Sequence, residues 1–179
     1  MLATVDRTEA LRLLKIEHEA VLELINTLTD DEMTRPDTIR YGLYPDQRLA
    51  FKDLLAHLIC YEVYTIEAIN DWKIKAQHWV IDGIVEDGRK IHYGGIADRA
   101  HLTIAEQIEE VKQVYTTLEG VLATLTDDEW RDKAFFPTQK PMDLGGMIER
   151  IVVAPPRPLY RHLPVHIPDT DAYIADLRR

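Results

Sequence analysis

Apolar residues recur at helical spacing along most of this chain, and no segment shows the strict alternation of a half-buried strand. That pattern confines the fold to the all-α class. From Asp6 to Leu28 the apolar positions are Leu11, Leu14, Ile16, Ala20, Leu22, Leu24 and Ile25, set between charged residues. Asp6 is placed to cap this first helix. Thr29-Asp30-Asp31-Glu32 reads as the cap of a short following turn, which Pro36 closes. A second helix is predicted from Asp46 to Trp72, with Ala50, Leu54, His57, Tyr61, Ala68 and Trp72 on one face. A third runs from Thr103 to Leu125, where Thr103 and Glu106 have capping-box spacing. A fourth starts near Asp143 and should stop at Pro155 and Pro156. A last helical piece covers Pro168 to Leu177, with proline in its first turn.

One phrase occurs twice. LINTLTDDEM from Leu24 returns as VLATLTDDEW from Val121, with identity from Thr27 to Glu32 against Thr124 to Glu129. Both copies close a predicted helix and open a turn. The repeat implies a bundle of two helical hairpins, in which the first and third long helices play equivalent roles.

At 179 residues with 46 % hydrophobic content, the chain reads as one domain over 1–179, with enough apolar mass for a sizeable core. No apolar run approaches the ~20 residues of a membrane span. The stretch MLATVDRTEALRLLK lacks a secretory pattern, and Cys60, the only cysteine, has no partner for an internal disulfide. Both point to the cytoplasm. A net charge of −10 leads to the expectation of no nucleic-acid partner and no membrane surface, and of a small-molecule substrate instead.

The connection from Lys73 to Leu102 is long for a compact domain. Its Trp79, Tyr93 and four glycines suggest an ordered crossover with short helical pieces, roofing a pocket. His78, His92 and His101 in this stretch read as surface or loop histidines, and His18 as a solvated one.

The chemistry is carried by three other histidines. His57 lies in an apolar helical run, and His162 and His166 form an H-x-x-x-H pair. Residues four apart share a helix face. A third imidazole from another helix would complete three corners around a divalent ion and leave a position open to water or substrate, the arrangement of catalytic rather than structural metal sites. Prolines surround the pair at Pro155, Pro156, Pro158, Pro164 and Pro168, so this segment should be a short or kinked helix.

A histidine in the second helix (AHLICYE), an H-x-x-x-H near the C-terminus, the L-T-D-D-E-W phrase and the glycine-rich start of the fourth helix together resemble the DinB/YfiT-like superfamily of metalloenzymes. The resemblance covers nearly the whole chain in order and spacing. It implies an up-down four-helix bundle with a long connection between helices two and three. It also implies nickel or zinc on His57, His162 and His166. Members transfer a low-molecular-weight thiol to an electrophilic metabolite, isomerise, or hydrolyse a toxic one. The metal would act as a Lewis acid toward a thiol or water.

Three residues are candidates to support or line the site. Tyr61 stands one turn beyond His57, Glu62 is a carboxylate able to orient a ligand imidazole, and Tyr160 comes just before the pair. Cys60 reads as a small buried hydrophobe. No catalytic acid, base or nucleophile stands out. Two other classes of function fit the same composition: a metal-free bundle that binds or sequesters a small ligand, and an interaction module. The spread of Tyr64, Ile66 and Trp72 around the second helix leads to the expectation of a homodimer.

Overall fold

The computed structural model describes residues 1–36, 49–86, 88–135, 141–153 and 159–178. Among these the helices are α1 (Arg7–Thr27), α2 (Asp30–Thr34), α3 (Phe51–Lys73), α4 (Trp79–Glu86), α5 (Gly88–Arg99), α6 (Ile104–Thr124), α7 (Asp127–Arg131), α8 (Leu144–Val152) and α9 (Leu163–Leu177). The fold is an all-α bundle. The only strand-type pairing among the described residues is an isolated bridge between Lys133 and Asp143. None of the described helices is long and apolar enough to cross a membrane.

Helix starts follow the local chemistry. Asp6 accepts the Glu9 amide at 2.8 Å and begins α1. Thr103 and Glu106 form the capping box of α6, and Asp143 accepts the Gly146 amide at the head of α8. The predicted second helix begins later than Asp46, which lies outside the described residues. Phe51 opens it, and the Asp53 carboxylate accepts the Ala50 amide at 2.7 Å. Pro155 and Pro156 also lie outside the described residues; α8 ends before them at Val152.

The repeated phrase has a physical explanation. Thr29–Glu32 and Thr126–Glu129 each close a reciprocal capping box at the head of a five-residue helix. Leu28 and Leu125 are buried just before these boxes, and Met33 and Trp130 just after them. Each copy thus stops a long helix, restarts the chain at once, and pins the corner with two apolar side chains. Trp130 also needs Gly145 beneath it, since a Cβ there would stand 2.4 Å from its ring.

Helix α3 is the central element and packs on α5, α6 and α8, while α1 packs on α6. One core gathers Leu14, Ile69, Ile81, Leu118, Trp130 and Ile148; the other gathers Val21, Met33, Phe51, Leu55, Ile59 and Val111. Burying each such side chain stabilises the fold by about 1.5–3 kcal/mol relative to exposure. Tyr64, Ile66 and Trp72 are partly buried and pack against the first of these cores. The long connection between α3 and α6 carries the expected short helical pieces, α4 and α5, and α5 lies directly on α3.

The C-terminal segment departs from expectation in a way that matters for the site. Helix α9 starts at Leu163, five residues before the expected Pro168. Pro164 falls in its first turn, where a missing N–H costs nothing, so the proline opens the helix instead of breaking it.

Candidate metal centre

The three candidate ligands come from two elements. His57 projects from the first half of α3, His162 immediately precedes α9, and His166 lies on its first turn. Although 105 residues separate the first two, His57 Nε2 stands 3.1 Å from His162 Nε2, and His166 Nε2 stands 3.3 Å from the same atom. All three rings are buried, and their ligand atoms lie within 4.8 Å of one another.

The proton inventory of this cluster favours a cation. A ring nitrogen holds either one proton or one lone pair. His162 Nε2 faces two other Nε2 atoms, and a hydrogen bond satisfies only one of those contacts. The other sets like against like, whereas a cation between the rings satisfies every lone pair. Two imidazole nitrogens on one ion at ~2.0–2.1 Å in tetrahedral geometry stand about 3.3–3.4 Å apart, close to the spacing seen here. The residues fit a divalent ion.

Two features position these rings. On the α9 side, the carboxylate of Glu17 from α1 accepts the Leu163 amide and bonds the His162 backbone. It thereby satisfies N–H groups left open at a helix start. Burial pushes the Glu17 pKa up to about 7, against the opposing pull of those amides, with Glu62 adding repulsion. Just before His162 the chain turns through Tyr160, whose φ of 55° lies in the left-handed region. On the α3 side, His57 meets His92 of α5, with the two Nδ1 atoms 2.5 Å apart. His92 is 2 % exposed, and burial lowers its pKa to about 4, so the ring is neutral. The sequence reading of His92 as a surface or loop residue is corrected. His78 is likewise buried and pairs with Glu67, while His101 is exposed as expected.

The supporting candidates divide. Tyr61 lines the cluster, its ring centroid 5.3 Å from that of His57 and 5.7 Å from that of His162. Glu62 turns elsewhere. Five residues along a helix is a rotation of about 140°, and its two oxygens lie 3.1 Å from His18 Nε2. His18, read from sequence as solvated, is 2 % exposed; its Nδ1 meets Glu119 at 2.7 Å and its ring stacks on Tyr115 at 3.7 Å. Burial pulls the His18 pKa down, but Glu62 and Glu119 together outweigh it and leave the value raised. Tyr160 is buried in the core that includes α8, where burial, Glu149 and Asp143 hold its phenol well above the usual range. Cys60 is buried and its thiol is pushed up to about 12 by burial, which suits a packing residue and not a nucleophile.

No family model matches the sequence, and no curated protein matches it. Solved structures share its fold, among them the following two. An uncharacterised protein from Escherichia coli UTI89 superposes with a TM-score of 0.70 at 11 % identity, covering 97 % of this chain and 96 % of that one. The colibactin self-resistance protein ClbS, in complex with a dsDNA, gives 0.69 at 12 % identity, covering 93 % and 94 %. At such identities the likeness is one of fold. It also corrects the exclusion of nucleic acid: a protein of this fold is solved with duplex DNA, and the net charge of a whole chain does not determine the charge of any one of its faces.

Proposed function

We propose that this chain is a metal-dependent enzyme of the DinB/YfiT-like type acting on a small electrophilic metabolite, with nickel or zinc held by His57, His162 and His166. The observation that carries this reading is the meeting of three buried Nε2 atoms whose contacts two hydrogen bonds cannot jointly satisfy. When bound, the ion supplies Lewis-acid chemistry that lowers the pKa of a thiol or a water. The protein's share is positional. His57 enters from α3, Glu17 ties down the start of α9, and Tyr61 forms a half-buried wall at which a substrate can rest. In thiol transfer a carbon–sulfur bond forms, the displaced group leaves with the bonding pair, and the thiol proton passes to solvent. In hydrolysis, water replaces the thiol. That a protein of this fold serves in self-resistance to colibactin supports a reactive small molecule as substrate.

Elemental analysis of tag-free protein should find close to one nickel or zinc per chain. Metal-loaded protein, incubated with a model electrophile and each common cellular thiol in turn, should exceed the rate of a His57→Ala control. A metal-free preparation that retains an apolar ligand would instead support a binding or sequestering bundle.

A further inference from the structure

Helix α5 approaches α3 more closely than ordinary side chains allow. A Cβ on Gly95 would stand 2.5 Å from the Cβ of Cys60 and 2.6 Å from its sulfur, so glycine is required there. One turn earlier on both helices, that approach drives His92 onto His57: their ring centroids are 4.2 Å apart, inclined at 65°, with Nδ1 facing Nδ1. An imidazole whose Nδ1–H is donated has its lone pair on Nε2, which is the state a ligand must have.

We infer that His92 is a positioning residue. Its Nδ1 accepts the Nδ1–H of His57 and holds His57 in the tautomer whose Nε2 lone pair points at His162 and His166. This inference rests on the reading of those three histidines as metal ligands. The alternative proton placement, with His92 donating, would put a hydrogen on His57 Nε2 and close the cluster to any cation. Partners of this kind, which orient a ligand imidazole and raise its basicity, typically alter metal affinity by about 10–100-fold when removed. Sequence reasoning passed over His92 because it lies in what reads as a connection, yet Ile91, His92 and Gly95 have helix-face spacing.

The test uses full-length, tag-free protein and two substitutions. His92→Phe fills the same space without an acceptor; His92→Asn places an amide oxygen near the position of Nδ1. Zinc affinity, measured by competition with a chromogenic chelator, should fall about 10–100-fold in H92F and recover most of that loss in H92N. Long-range proton–nitrogen spectra of the metal-free protein should show His57 protonated on Nδ1 in the wild type and in H92N, and mixed in H92F. H92F binding zinc as tightly as wild type would overturn the inference, as would H92N behaving like H92F, since the role would then be packing alone. If H92F does not fold, the wild-type spectrum decides by itself: His57 protonated on Nε2 would overturn the inference. Wild-type protein that takes up neither zinc nor nickel would sink the metal reading, while a wild-type His57 protonated on Nδ1 would leave the His92 hydrogen bond standing.

Discussion

Helix α3 carries His57 on one face and Glu62 about 140° around the axis, and each belongs to a buried imidazole cluster of opposite character. At Glu62 the imidazole is His18, and both its nitrogens face carboxylates, Glu62 on one side and Glu119 on the other. Protonated, that ring donates twice and joins α1, α3 and α6 in a matched ion triad. At His57 the rings meet nitrogen to nitrogen, and protonating them would add charge to charge. A histidine cluster completed by acids is self-sufficient and works as a structural tie. In the other cluster imidazole nitrogens face one another, with no carboxylate among the three rings. Burial alone does not distinguish them, since His18 and the three candidate ligands are all buried.

This contrast predicts that damage to the two clusters will show in different measurements. The largest effect is on metal: His57→Ala or His166→Ala should abolish stoichiometric metal uptake, read by elemental analysis after dialysis. Equal metal content in either variant would break the comparison. Next comes His18→Ala, which strands a buried carboxylate and should cost about 3 kcal/mol in urea unfolding. Metal content per folded chain should not change.

A smaller effect follows from protonation of the tie. The folded His18 pKa lies above its ordinary 6.5, so the unfolded chain releases this proton more readily than the folded one. The stabilisation is complete below about pH 6.5 and is lost as pH rises through the higher folded value. The groups facing the ring are Glu62, Glu119 and Tyr115, with Lys15 3.9 Å from Glu119 on the outer side. Urea midpoints should therefore decline across that window more steeply in the wild type than in His18→Gln, where the raised Glu17 carboxyl still contributes a decline up to about pH 7. A wild-type midpoint rising over the same range would contradict a charged His18. Smallest are the capping boxes: Thr29→Ala and Thr126→Ala should each cost about 1 kcal/mol and leave metal content and the His18 pH dependence unaltered. This pair supplies the baseline for damage that touches neither cluster.

Much of this layout could be read from the residues, for reasons that are local. The capping phrases at Asp6, Thr29, Thr103, Thr126 and Asp143 fix helix starts because their hydrogen bonds close within a few residues. His162 and His166 come together because Pro164 falls where a helix can begin. What remained hidden depends on contacts between distant segments. His18 sits between Glu17 and Glu19 and so reads as solvated. Its spacing from Leu14, Val21 and Ile25 nevertheless places it on the buried stripe of α1, a signal present in the sequence. Glu62 is close to His57 along the chain but about 140° from it around α3, so it meets His18 instead, a rotation that sequence proximity alone does not convey. His92 required knowing that Gly95 lets α5 settle on Cys60, which no single segment reveals.

The tie between Glu17 and Leu163 joins residues 146 apart, whereas His57 and His92 are separated by 35. Chains emerge from the ribosome N-terminal end first, so the His57–His92 pair is complete while His162 is still unmade. The full set of rings closes only after α9 docks against α1. Loop closure over so long a span adds little entropy cost beyond a shorter one, but it imposes an order in time. On the proposed metal reading, a nascent chain would lack the means to capture an ion at this site, and loading would be deferred until the bundle has closed.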